Sequence, residues 1–213
     1  MLFGTPLLLL FGYPFLDILL ILLPISASIN ALQISKDYKH INFNSYKNVL
    51  FITVPFIIVF LFLASKNKID INMVIGIFLI FIALKNYVKI IRIMFEKILS
   101  YNKIFYSIMG IVHGVTNLGG ALLTARIFHE TLNKYEKRAT IAISYMTFAI
   151  FQIVTILFLD VEYDLSNLWY VFIGISTYIT INKIVFHKVS DHKYNKIFSI
   201  FLLASGVLLV MIK

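Results

Sequence analysis

Long apolar blocks separated by short charged strings constrain this chain more than any other feature. Phe15–Gln33, Val49–Ser65, Asn72–Leu84, Ala139–Leu159, Leu165–Phe186 and Ile197–Ile212 each read as a span. A helix needs about 20 apolar residues to cross a bilayer. Of the 213 residues 60% are hydrophobic, and the mean hydropathy is +0.91. A soluble domain lies nearer 45–50% apolar. The alternating ten-residue segments of a membrane barrel are absent. The pattern predicts an all-α, polytopic helical membrane protein forming a single membrane domain over residues 1–213. About six full spans are expected, plus broken or re-entrant segments, or seven to eight spans if those segments cross.

The segment Ile104–Ile127 is the exception among the blocks. It contains Gly110, His113, Gly114, Thr116, Asn117, Gly119 and Gly120. Asn and paired Gly are poor helix formers. Broken backbone at membrane depth must be satisfied by protein or by a water-filled cavity. A half-helix to about Thr116, a turn over Asn117–Gly120 and a second half from Ala121 are therefore expected. Discontinuous helices of this kind bind solutes in transporters.

Charge distribution supplies topology. The net charge is +9, with 19 Lys and Arg. If Ile104–Ile127 turns back, all of these but Lys66, Lys68 and Lys213 fall on one side, and the acidic loop Asp160–Asp164 on the other. Cytoplasmic loops carry excess Lys and Arg, so the turned-back arrangement is favoured and the crossing one stays open. The basic residues are spread over short inter-helix strings rather than gathered in one patch with interleaved aromatics, which argues against a nucleic-acid partner. Lys85–Lys103 is basic with Val88, Ile91, Met94 and Ile98 at helical spacing, as expected of an interfacial helix.

An internal correspondence appears at a shift of 119 residues, which lays Gln33 on Gln152 and Pro6 on Ala125. It predicts two inverted repeats, residues 1–98 and 99–213. The same shift lays Gly120 on Met1 and so predicts a glycine-rich half-helix before Met1, the first repeat being N-terminally incomplete.

Several chemistries find no support. There is no cysteine. His129-Glu130 lacks the second His of a zinc-protease helix, because Asn133 stands there. No catalytic arrangement, metal site or cofactor is expected.

Each candidate residue has a structural alternative. Gly110 and Gly114 form a GxxxG pattern that allows close helix packing. Gly119 and Gly120 open a half-helix whose free N–H groups suit an anion, or simply mark a kink. His113 and Asn117 share a face one turn apart. They serve a solute, or they satisfy the broken backbone. Gln33 and Gln152 line a cavity, or bond between helices. Asp17 belongs to a helix N-terminus.

Gly110-x-x-His113-Gly114-x-x-Asn117-x-Gly119-Gly120, followed by Lys137-Arg138-Ala139, resembles the second repeat of the sulfite exporter TauE/SafE family. Gly4-x-Pro6 with Gly12-Tyr13-Pro14 resembles the tail of that family's first glycine motif, the rest of which is missing here. Ala121 stands where the family often has Pro. The resemblance implies a multi-pass inner-membrane permease for sulfite, a sulfonate or another small organic anion. His113, Thr116, Asn117, Gly119, Gly120, Gln33 and Gln152 would then serve the solute, and Gly4, Pro6, Gly110 and Gly114 the helix breaks and packing. The expected partners are a small anion and the lipid bilayer, with homo-oligomerisation left open. The alternative is a non-transporting membrane subunit or assembly protein.

Overall fold

The computed structural model describes residues 2–66, 70–85, 87–159, 161, 164–184 and 191–212. The acidic loop Asp160–Asp164 and the basic string from His187 lie largely outside the described residues.

The described elements are helical throughout. Helix α1 (Gly4–Leu10) ends at a turn in which Gly12 has φ +83°. Pro14 then leads into α2 (Phe15–Asp37), with Asp17 in its first turn and Pro24 inside it. Asn42 caps α3 (Phe43–Asn48) by accepting from the Ser45 N–H. A π-helical turn, Val49–Thr53, joins α3 to α4 (Val54–Lys66). Asp70 caps α5 (Ile71–Leu84), and α6 (Lys89–Ser100) follows. Then come α7 (Asn102–Thr116), α8 (Gly120–His129) and α9 (Lys134–Leu157). Asn133 and Glu136 close a reciprocal capping box at the start of α9. Last are α10 (Trp169–Ile184) and α11 (Asp191–Met211).

Three stretches among the described residues are long and apolar enough to cross a membrane: Phe15–His40, Phe43–Lys66 and Lys134–Leu157. A fourth exists only if α5 and α6, bent by 100° from each other, count as one span. This overturns the expected six full spans, and the seven or eight that crossing segments would give. It also leaves the two inverted repeats without support. For α5 the reason is length. Helix α5 has 14 residues, or roughly 21 Å at 1.5 Å per residue, against a hydrocarbon core of about 30 Å. The apolar part of α11 is Ser199–Met211.

Packing follows the small residues. Helix α9 buries Ala139, Ala142, Ser144 and Ala149, and small side chains let neighbouring backbones approach. Helices α5 and α11 meet at Gly76 and Gly206: a Cβ on either would stand 2.8 Å from the carbonyl oxygen of the other. On α6 the packed residues are Phe95 and Leu99, whereas Val88 and Met94 of the expected stripe are exposed. Ile91 and Ile98 of that stripe are half-buried. Trp169 and Tyr170 are exposed at the start of α10.

Four contacts draw three of the basic strings together. Arg126 donates to the Leu99 carbonyl at 3.0 Å. Arg138 pairs with Asp37 at 3.2 Å. The Asn42 N–H donates to Thr140 Oγ1 at 2.9 Å, and Ser45 donates to Glu130.

Candidate functional site

Helix α7 stops at Thr116 because Asn117 adopts the left-handed conformation, φ 59° and ψ 15°. It is the one non-glycine residue with positive φ among the described residues. Asn tolerates this region better than most side chains. Its N–H returns to the His113 carbonyl at 2.8 Å, forming a left-handed helix cap. Thr116 completes the turn. Its hydroxyl donates to the Val112 carbonyl at 2.6 Å and accepts from the Leu118 N–H at 3.1 Å. Helix α8 then starts at Gly120 with Gly119 as its cap.

The chain doubles back at this point. A Cβ on Gly119 would lie 2.5 Å from His113 Cβ and 2.8 Å from the Met109 carbonyl oxygen. Further along, Arg126 reaches Leu99 and lies 5.8 Å from the Tyr106 ring. The two helices therefore run antiparallel, and only glycine fits at position 119. At Gly120 a Cβ would fall on the Tyr145 phenol of α9. Gly110 and Gly114 seat α7 against α4: their Cβ positions lie 2.5 Å from the Thr53 carbonyl oxygen and 2.8 Å from that of Ile57.

The side chains at the break are buried and polar. His113 Nε2 lies 3.1 Å from Gln152 Oε1, and the His113 ring packs on Phe148 at 4.6 Å. Asn117 donates from its amide to Thr5 Oγ1 on α1 at 3.2 Å. His113, Asn117, Gln152, Thr5 and Thr116 are all at most 2% exposed. Yet His113 Nδ1, Asn117 Oδ1 and Gln152 Nε2 have no hydrogen-bond partner. Buried polar atoms are nearly always paired, so these three, on α7, its cap and α9, stand out.

The other sequence candidates divide. Pro6 is buried in α1, and a Cβ on Gly4 would meet the Leu22 side chain at 3.1 Å, so both lie where α1 packs. Gln33 is half-buried near the end of α2. It is four residues from Asp37, whose partner Arg138 is fourteen residues from Gln152. Along antiparallel α2 and α9 this separates Gln33 from Gln152 by roughly 15 Å in depth, so they do not face each other as a level pair.

Sequence reasoning missed Thr5 and Tyr145. Thr5 stands between Gly4 and Pro6 of the first motif, a position where only its neighbours drew notice. Tyr145 carries no local signal, because its importance comes from Gly120 lying opposite it.

One family profile, described as sulfite exporter TauE/SafE, matches residues 2–209. No curated protein and no solved structure matches the chain.

Proposed function

Because this chain belongs to the sulfite exporter TauE/SafE family, a family of membrane transporters, we propose that it is a permease for a small anion such as sulfite or a sulfonate. We place it in the inner membrane, with the solute held where α7 gives way to α8. The observation that carries this reading is the set of three buried, unpartnered polar atoms on His113, Asn117 and Gln152.

The chemistry supports an anion. The start of α8 presents the positive end of a helix dipole, although the Ala121 N–H already donates to the Leu118 carbonyl at 3.2 Å. Gly119 and Gly120 bring the turn up against His113 and the Tyr145 phenol, so the break is drawn tightly around its polar side chains. Gln152 and Asn117 add side-chain amides. No Lys or Arg stands between Lys103 and Arg126, so the donors are neutral, which favours release as well as capture. A purely packing role would call for an apolar face at the break, and five buried polar side chains stand there instead.

Ligand-dependent thermal stability tests the reading. A ligand that binds only the folded state stabilises it in proportion to its occupancy. Purified protein should melt higher in millimolar sulfite or a simple sulfonate, and the Asn117→Gly variant should lose that gain. An unchanged melting temperature across a panel of small oxyanions would remove the proposal.

A further inference from the structure

The Asn117 break holds hydrogen-bonding atoms of both kinds, and that narrows the solute. A neutral imidazole has one N–H and one lone-pair nitrogen, and an amide has one donor group and one acceptor. If the His113 ring donates to Gln152 Oε1 across their 3.1 Å contact, Nδ1 keeps a lone pair and the Gln152 amide keeps its N–H groups. If the amide is turned over and donates to the ring, Nδ1 carries the proton and the Gln152 carbonyl oxygen is left over. Either way, the neutral pair leaves one acceptor without a donor. Asn117 Oδ1 is a second acceptor with no partner. The C-terminal end of α7 points its negative dipole end at the same turn.

A bare oxyanion only accepts hydrogen bonds. It would satisfy the amide and the N–H groups at the start of α8, but would leave those acceptors buried and unmet. A second negative charge would find no Lys or Arg before Arg126 to answer it.

We propose that the solute of the Asn117 break is a monoanion bearing its own O–H or N–H donor: the oxyanion end is met by the α8 N-terminus, and the donor by the acceptors of the His113–Gln152 pair and Asn117. This rests on the reading of the break as the solute site. Sites built with buried polar groups reject analogues that lack the matching group far more strongly than apolar pockets do.

The test compares 2-hydroxyethanesulfonate with ethanesulfonate by equilibrium binding to the full chain in lipid nanodiscs. The two probes have the same charge and differ in one hydroxyl. The expected result is at least ~10-fold tighter binding of the hydroxylated probe, with the preference shrinking to within about threefold in His113→Phe. Because the first comparison uses the unaltered protein, it does not depend on how the variant folds. Equal affinities in the unaltered protein, or ethanesulfonate binding accompanied by uptake of a proton from buffer, would overturn the proposal while leaving the site in place. Binding of neither probe would overturn both this proposal and the site on which it rests.

Discussion

His113 Nε2 lies 3.1 Å from Gln152 Oε1, with both side chains fully buried between α7 and α9. This contact fastens the last turn of α7 to α9 just before the chain reverses at Asn117. It also leaves one further hydrogen-bonding atom on each partner unused. The structural contact and the proposed solute site therefore share the same two residues.

Asn117 separates backbone from side-chain roles. Its φ of 59° suits glycine, and its amide reaches Thr5 at 3.2 Å. Asn117→Gly should fold at near-native stability and bind solute about 10-fold or more weakly, the usual scale for a lost buried partner. Asn117→Ala should lose the same affinity and a further ~1 kcal/mol or more of stability through left-handed strain. Thermal melts and binding isotherms on both variants check this. Equal stability of the two would remove the strain argument.

Gly120 is a contact with Tyr145. Gly120→Val should abolish flux while the protein still inserts, because the new side chain collides with the phenol. Overpacking of this kind costs about 1–3 kcal/mol. Adding Tyr145→Ala should restore much of the thermal stability. If the double variant melts no higher than Gly120→Val, the collision is not the cause.

The Arg126 side chain ties the end of α8 to two other elements. It donates to Leu99 and pairs with Glu130 at 3.4 Å, and Glu130 accepts from Ser45. Both charged side chains are mostly covered, at 14% and 19% exposure. Glu130→Gln should lower stability by about 2 kcal/mol, between the values for exposed and buried pairs. Ser45→Ala should cost about 1 kcal/mol. Losses that add fully in the double variant would show that the two residues do not form one unit.

Topology is open to labelling, since the chain has no cysteine. Asn102 belongs to the basic end, where the Arg126, Arg138 and Asn42 contacts gather, and positive loops stay cytoplasmic. An impermeant thiol reagent applied to intact cells should modify Val161→Cys and spare Asn102→Cys. The reverse pattern would invert the orientation.

What the sequence discloses follows from the range of each signal. The stop near Thr116 and the start near Gly120 are local, because Asn and paired Gly disfavour helix wherever they occur. The closeness of His113 and Asn117 is equally local, being one helical turn. The number of long spans is not, since an apolar block does not say where its helix begins and ends. Asp70 caps α5 late, and α10 is preceded by a 3-10 turn at Leu165–Leu168. Gln33 illustrates a second limit. Matching it to Gln152 by offset took no account of how α2 and α9 run past each other, which sets their depths apart. Thr5 and Tyr145 depend wholly on tertiary approach.

The central claim is that a small anion passes through the Asn117–Gly120 break. Flux of sulfite or a simple sulfonate into proteoliposomes containing the full chain tests it most directly. The unaltered protein should carry the anion. Gly120→Val should reduce flux to that of empty liposomes, and Asn117→Gly should require a solute concentration about 10-fold higher for the same rate. Unchanged kinetics in both variants would contradict the claim and leave these residues with a packing role alone.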